Sequence, residues 1–233
     1  MANIEDHVVA EVKNDQIQRK PRILCLHGFR TSAAILKKLI LRWPENVLDK
    51  LDVDFLDAPY PAQDKSAVEG IFDPPFFEWF QSDKSYTECY NFEECLEYLE
   101  DYMIKHGPFD GVLGFSQGGV LAAAFPGIQR DGVALTKVPK IKFVIILSGA
   151  KFGGGILIGI PKLAEKAFSI PLECPSLHFI GEADFLKEEG IALLSSFVDP
   201  MVIYYPEGHT VPKLEKEGEE TMLSFIDKIQ ELL

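Results

Sequence analysis

GVLGFSQGG, residues 111–119, joins a short apolar run to a glycine-rich turn. The run Gly111–Phe115 predicts a buried strand, and Gly118–Phe125 has the composition of a helix. A serine between two glycines at a strand-to-helix turn is the nucleophile-elbow pattern, in which a strained backbone exposes the hydroxyl at the edge of a sheet. Ser116 is therefore the candidate nucleophile. The amide of Gln117, at the start of the helix, is a candidate donor to an oxygen bound beside it.

A serine hydroxyl needs a base within hydrogen-bond reach, and a histidine oriented by a carboxylate can supply it. His209 lies between the last predicted strand and the last predicted helix. In an α/β-hydrolase the chain order is serine, acid, histidine, and the histidine follows the final strand, so His209 is the candidate base. The other histidines lie in the N-terminal arm, in a helix-stop turn, inside an apolar strand and at the end of the first strand: His7, His106, His178 and His27.

The acid should lie between the nucleophile and the base in the chain, at the carboxyl end of a strand, because the catalytic loops of a parallel sheet gather at that edge. Asp184 follows the predicted strand Ser176–Ile180 and a turn at Gly181, and it is the candidate acid. The alternatives are one carboxylate in the same loop and two more distant ones: Glu182, Asp199 and Glu207.

A second backbone donor is expected after the first strand, where Leu26 is followed by His27, Gly28 and Phe29. His-Gly at the end of a strand is the short form of the His-Gly-Gly loop that supplies a main-chain N–H to the transition state. The amide of Phe29 is the candidate donor, and His27 is expected to orient the loop rather than to move protons. A plain strand-end turn is the alternative.

Short β-branched runs alternate with helix-length segments, which predicts an α/β fold: about six strands in a mostly parallel sheet with helices on both faces. Continuous apolar runs are typical of strands that are buried on both faces. The predicted strands are Arg22–Leu26, Val53–Leu56, Gly111–Phe115, Ile141–Leu147, Ser176–Ile180 and Met201–Tyr205. The predicted helices are Ser32–Trp43, Tyr90–Lys105, Gly118–Phe125 and about Pro212–Leu233.

Residues 58–87, which we call the aromatic insert, do not follow this alternation and are rich in proline and aromatic side chains. A long connection without periodicity is more often a lid or a binding loop than filler, although a loop packed by its own aromatics is the alternative. We expect the insert to supply an apolar pocket whose substrate-binding candidates are Phe76, Phe77, Trp79 and Phe80. Residues 21–233 are predicted to form a single domain after a flexible N-terminal arm, residues 1–20.

Charge and composition exclude several classes of protein. The 233 residues include 23 Lys and Arg against 36 Asp and Glu, a net charge of −13, so nucleic acid is not an expected partner. The most apolar stretch, Gly153–Ile160, is far shorter than the ~20 residues of a spanning helix, and the N-terminus resembles no targeting signal, so we predict a cytoplasmic protein without a membrane span. The four cysteines form no CxxC pair, and the glycines at 153–155 lack dinucleotide-loop spacing, so neither a metal nor a cofactor is predicted.

Four separate motifs occur in a family-specific order: ILCLHGFRTS at 23–32, GFSQGG at 114–119, HFIGEAD at 178–184 and PEGHTVP at 206–212. From about residue 21 to the C-terminus, the chain resembles the family of serine hydrolases that includes the fungal enzymes of that name and the animal ovarian-cancer-associated esterase, with plant members. The resemblance implies an α/β-hydrolase core that lacks the first strands of the full fold, carboxylesterase activity, often on medium to long acyl chains, and no cofactor. It matches the nucleophile, acid, base and two oxyanion donors to Ser116, Asp184, His209, Phe29 and Gln117.

The sequence therefore predicts a serine carboxylesterase that acts on small-molecule acyl esters with an apolar acyl chain. Two alternatives stay open. GFSQGG also occurs in acyl-protein thioesterases, and a hydrolase fold can serve as a non-catalytic small-molecule sensor. Gly153–Ile160 is richer in glycine and aliphatic residues than the family leads us to expect, so the preferred acyl chain is not predicted, nor is the oligomeric state.

Overall fold

A computed structural model describes residues 19–83, 88–154 and 159–233. The helices are α1 (Ala33–Ile40), α2 (Glu45–Leu48), α3 (Phe92–His106), α4 (Gln117–Arg130), α5 (Lys187–Leu194) and α6 (Lys216–Gln230), with a 3₁₀ turn at Lys162–Ala164. The strands are β1 (Arg22–Leu26), β2 (Asp52–Leu56), β3 (Tyr60–Pro61), β4 (Phe77–Glu78), β5 (Gln81–Ser82), β6 (Cys89–Tyr90), β7 (Gly111–Phe115), β8 (Phe143–Leu147), β9 (Ser176–Gly181) and β10 (Met201–Tyr205).

Six strands form one parallel sheet in the order β10-β9-β8-β7-β1-β2, which confirms the predicted α/β architecture. The register keeps the carboxyl ends of neighbouring strands level: Phe115 lies opposite Leu147, and Tyr205 lies opposite Gly181. The loops that follow β1, β7, β8, β9 and β10 therefore emerge at one edge of the sheet. All the candidate catalytic residues lie in these loops or directly after a strand.

Both faces of the sheet are buried, which explains why its strands are continuous apolar runs. Alternate residues of β1 enter different cores: Leu24 and Leu26 pack with side chains from α3 and α4, whereas Ile23 and Cys25 pack with those from α1 and α6. Each core is thus a sheet face covered by two main helices. The fixed sheet is the rigid support for the loops at its carboxyl edge.

All four predicted helices differ from the structure at their ends, and for two of them, α4 and α6, the reason can be identified. Helix α4 does not stop at Phe125 but continues through Pro126 to Arg130; its residues are buried as far as Ile128, and this packing outweighs the cost of about 3 kcal/mol for an internal proline. Helix α6 begins at Lys216 rather than near Pro212. The preceding segment is held by the end of α1, where Arg42 Nη2 donates to the Val211 carbonyl at 2.6 Å and Trp43 Nε1 donates to the Pro212 carbonyl at 3.0 Å.

The aromatic insert is described from residue 58 to residue 83; its strands β3 and β4 form one small antiparallel ribbon, and its strand β5 forms another with β6, which follows the insert. Its last residues, the N-terminal arm up to residue 18 and residues 155–158 of the glycine-rich stretch lie outside the described residues. Arg19 is described and pairs with Asp110, with Nη1 to Oδ2 at 2.6 Å.

Within the described ranges, no helix has the length and apolar character needed to cross a membrane. All four cysteines are free thiols. Cys25 and Cys95 are buried, and Cys89 and Cys174 are half-buried. Burial raises the pKa of each of the four, so the thiols are kept protonated.

Candidate active site

Ser116 stands at a strained turn between β7 and α4. Its φ of 54° and ψ of −116° lie in a region that L-residues seldom adopt. The glycines on either side permit the turn: a Cβ on Gly114 would lie 2.0 Å from the Gly118 carbonyl oxygen, and one on Gly118 would lie 2.2 Å from the Leu26 carbonyl oxygen. The backbone thus presents the Ser116 hydroxyl at the carboxyl edge of the sheet, as the elbow pattern predicts.

The three candidate catalytic side chains lie together although they are far apart in the chain. The distance from Ser116 Oγ to His209 Nε2 is 2.8 Å, and His209 Nδ1 lies 2.9 Å and 3.1 Å from the two carboxylate oxygens of Asp184. With Nδ1–H donating to Asp184, the Nε2 lone pair faces the serine hydroxyl. This arrangement can remove a proton from Ser116 and hold the resulting imidazolium beside a carboxylate.

Asp184 is held as a buried anion. Burial alone raises the pKa of Asp184, but hydrogen bonds from His209, from the Ser148 hydroxyl and from the Leu186 amide outweigh it, so the pKa lies below its ordinary value. The alternative acids, Glu182, Asp199 and Glu207, are exposed, and among the described residues the carboxylate bonded to His209 is that of Asp184. Glu182 Oε2 pairs with Lys187 Nζ at 2.5 Å instead of facing the histidine.

Two further hydroxyls, those of Ser148 and Tyr205, are linked to Asp184. Ser148, the residue after β8, has a φ of 49°, and its Oγ lies 2.8 Å from the hydroxyl of Tyr205. The Tyr205 hydroxyl donates its one proton to the Thr210 carbonyl at 3.0 Å, next to His209, so the Ser148 hydroxyl is the donor both to the Tyr205 oxygen and to Asp184, between which it shares its proton. Burial raises the pKa of Tyr205 to about 12, so the phenol stays a neutral donor. These contacts connect the acid to the loop that carries the histidine.

The loop after β1 approaches the serine closely. A Cβ on Gly28 would lie 3.3 Å from the Ser116 Cβ and 2.9 Å from the Phe115 ring, so a larger residue would displace one of them. In the part of the chain that the structure describes, the amides of Phe29 and Gln117 donate to no internal acceptor. Both are free to donate to an oxygen bound beside Ser116.

His27 holds this loop as a buried, neutral imidazole. Its Nε2 accepts a hydrogen bond from the Ala58 amide at 3.0 Å, and its Nδ1 donates to the Gly28 carbonyl at 2.8 Å. Burial lowers the pKa of His27 to about 4, which keeps the ring uncharged at neutral pH. The carbonyl of His27 accepts from the indole nitrogen of Trp79 at 2.8 Å.

Arg30 ties the same loop to the aromatic insert. Its Nε donates to the buried carboxylate of Glu78 at 2.7 Å, its Nη2 donates to Asp64 at 2.9 Å, and its carbonyl accepts from the Ser66 hydroxyl at 2.6 Å. The guanidinium also lies 4.6 Å from the centroid of the Phe29 ring. The insert and the loop after β1 therefore form one hydrogen-bonded unit.

The four substrate-binding candidates of the insert divide into two pairs. Phe76 and Phe77 are half-buried and keep accessible surface. Trp79 and Phe80 belong instead to the hydrophobic core, with 0% and 2% of their surface accessible. In this structure neither side chain of the second pair has a surface open to a ligand.

Sequence patterns did not identify Ser148, Tyr205 or Phe185, although all three lie beside the triad candidates. Ser148 and Tyr205 stand at the carboxyl ends of predicted strands, which was the only available signal. Phe185 directly follows Asp184, and its ring centroid lies 4.4 Å from that of His209. Among the described residues, His, Cys, Asp and Glu side chains form no group of three or more that could hold a metal ion.

A parallel sheet with a serine at a strand-to-helix elbow and an aspartate and a histidine after its last two strands defines an α/β-hydrolase. A family model described as serine hydrolase (FSH1) matches residues 17–221. The chain therefore belongs to the FSH1 family of serine hydrolases.

Individual relatives agree with this assignment. The chain is 30% identical over 227 residues to Esterase OVCA2 of Bos taurus, covering 89% of this chain and 96% of the relative. Among solved structures, acyl-protein thioesterase 2 of Zea mays superposes with a TM-score of 0.57 at 18% identity, covering 91% of this chain and 95% of that one. A carboxylesterase from Mesorhizobium loti gives a TM-score of 0.57 at 14% identity, covering 90% and 89% of the two chains. At these identities the two structures show the shared fold.

Proposed function

We propose that this chain is a carboxylesterase that hydrolyses small-molecule acyl esters through an acyl-enzyme formed on Ser116. The observation that carries the proposal is the bonded series of Ser116, His209 and Asp184, with 2.8 Å between Oγ and Nε2. Membership of a serine hydrolase family supports the nucleophile. The name esterase on a relative that is 30% identical over most of the chain supports the ester bond.

In the proposed reaction, Ser116 Oγ attacks the carbonyl carbon while His209 Nε2 takes the hydroxyl proton. Asp184 stabilises the imidazolium, and the amides of Phe29 and Gln117 donate to the oxyanion. His209 then passes the proton to the leaving oxygen as the carbon–oxygen bond breaks. Water repeats these steps on the acyl-enzyme, which releases the carboxylic acid and restores the serine.

The acyl chain is proposed to bind at Phe76 and Phe77. Phe77 lies beside the oxyanion loop, because its amide donates to the Thr31 carbonyl at 2.7 Å. The pair has accessible apolar surface, whereas Trp79 and Phe80 have almost none and are proposed to support the pocket. An apolar wall near a few fixed polar groups suits an apolar acyl chain.

A series of p-nitrophenyl esters from acetate to palmitate, with a thioester matched to the best acyl chain, tests the proposal. We expect ester turnover with a preference for chains longer than acetate, and a loss of roughly 10⁶-fold in kcat for Ser116→Ala with its circular dichroism unchanged. Ester turnover retained by Ser116→Ala would contradict the nucleophile. Turnover of the thioester alone would favour the thioesterase, and binding without turnover would favour the sensor.

A further inference from the structure

Phe185 exposes an aromatic ring beside the proposed base. The side chain is 65% accessible, and its ring centroid lies 4.4 Å from that of the His209 imidazole at an interplanar angle of 41°. A single exposed apolar residue is ordinary on a protein surface. This one lies in contact with the imidazole that handles the proton, so its position bears on what can bind there.

The acid fixes the backbone on both sides of this ring. The Asp184 amide donates to the Gly181 carbonyl at 3.2 Å, and Asp184 Oδ1 accepts from the Leu186 amide at 2.8 Å. The carboxylate that orients His209 therefore also holds the segment that carries Phe185. The ring and the imidazole are positioned by the same turn.

The proposed reaction determines which part of an ester meets the ring. When the leaving group departs, His209 Nε2 gives its proton to the leaving oxygen, which requires about 3 Å between the two atoms. The carbonyl oxygen points away from this position, toward the amides of Phe29 and Gln117. The carbon atoms of the leaving alcohol therefore lie beside the imidazole, within reach of the Phe185 side chain.

We propose that Phe185 forms a leaving-group subsite that favours esters of aromatic or long apolar alcohols; this inference rests on the proposed esterase function. Contact between the ring and an aromatic or alkyl leaving group is expected to raise kcat/KM by about tenfold. The preference concerns the alcohol alone and is independent of the acyl chain, which binds at the aromatic insert.

Three butyrate esters, those of methanol, hexanol and benzyl alcohol, separate the subsite from other roles of the ring. Each substrate is compared between the wild type and Phe185→Ala, so that differences in intrinsic reactivity cancel. We expect the variant to lose about tenfold in kcat/KM for the hexyl and benzyl esters and less than about twofold for the methyl ester. All three pass through the same butyryl-enzyme, so its rate of hydrolysis should not change.

Ile170→Ala is the matched control. Ile170 is 56% accessible, and its carbonyl accepts from Arg130, at the far end of the helix that begins at the site. Removing this exposed apolar side chain should leave kcat/KM for each of the three esters at the wild-type value.

An equal loss of kcat/KM for the three esters in Phe185→Ala would overturn the subsite, because the ring would then only support the imidazole. Unchanged values would overturn it as well. A wild type that hydrolyses none of the esters would overturn the esterase function and the subsite together.

Discussion

The side-chain amide of Gln117 is bonded at both ends to the backbone of the aromatic insert: its Oε1 accepts from the Trp79 amide at 3.0 Å, and its Nε2 donates to the Phe80 carbonyl at 2.8 Å. The backbone amide of the same residue is a proposed oxyanion donor. The insert is thus bonded directly to a residue of the proposed oxyanion site. The bonds hold the backbone of Trp79 and Phe80, whose side chains are buried.

Replacing Gln117 by alanine should weaken both the fold and the reaction. The substitution keeps the backbone amide but leaves two buried backbone groups of the insert without partners, which should lower the free energy of unfolding by about 2 kcal/mol. We expect kcat to fall about tenfold through displacement of the amide. Urea unfolding and ester kinetics measure the two effects.

Gln63→Ala, at an exposed position in the same insert, is the control and should change the free energy of unfolding by less than about 0.5 kcal/mol. A Gln117→Ala variant as stable as this control would contradict the attachment.

Ser148 and Tyr205 should act on catalysis as a pair. Ser148→Ala removes a hydrogen bond to Asp184, and Tyr205→Phe removes the hydroxyl that links Ser148 to the Thr210 carbonyl. Each variant is expected to lower kcat/KM by about fivefold, and the double variant by little more than either alone, because both act through the same carboxylate. Losses that multiply in the double variant would show that the two hydroxyls act independently.

Gly28→Ala should impair the oxyanion loop. The added Cβ would lie 2.9 Å from the Phe115 ring and 3.3 Å from the Ser116 Cβ, so the loop and the serine cannot keep their present spacing. Losing an oxyanion donor typically costs roughly 10²–10³ in turnover, and we expect kcat to fall by about 10². Gly190→Ala is the control, because its Cβ would meet its nearest neighbour at 3.6 Å and fits without displacement. A Gly28→Ala enzyme with the kcat of Gly190→Ala would refute the proposed position of the donor.

The free energy of unfolding should decrease as the pH is lowered through the mildly acidic range. Burial lowers the pKa of His27 to about 4 and that of His178 to about 3, below the ordinary value of ~6.5. Between these values the unfolded chain binds protons that the folded chain does not, so each histidine lowers the free energy of unfolding by up to ~1.4 kcal/mol for each unit of falling pH. Urea unfolding between pH 6.5 and pH 5 measures the slope. His178→Gln should reduce the slope of the unfolding free energy against pH by the contribution of one histidine. An unchanged slope would contradict a buried, neutral His178.

The sheet, and the edge of it that carries the candidate catalytic residues, could be predicted because they follow from local patterns. Strands buried on both faces are continuous apolar runs, so β7 and β10 have their predicted bounds, and the parallel arrangement brings the loops after them to one edge. Helix α5 was not predicted, since its sequence KEEGIALL contains a central glycine and little apolar periodicity.

Contacts between distant parts of the chain have no such local pattern in the sequence, so they could not be predicted. The core position of Trp79 depends on a hydrogen bond to the carbonyl of His27, and the link between Ser148 and Tyr205 joins residues 57 positions apart. The late start of α6 depends on the side chains of Arg42 and Trp43, far from it in sequence. In each case a tertiary hydrogen bond decides the local structure.

The central claim is that His209 activates Ser116, and the rate of covalent modification by a fluorophosphonate measures it most directly. In the wild type the label should appear on the peptide that contains Ser116, and His209→Ala should react about 10³-fold more slowly while keeping its fold. Reaction of His209→Ala at the wild-type rate, or a label on another residue, would contradict the claim.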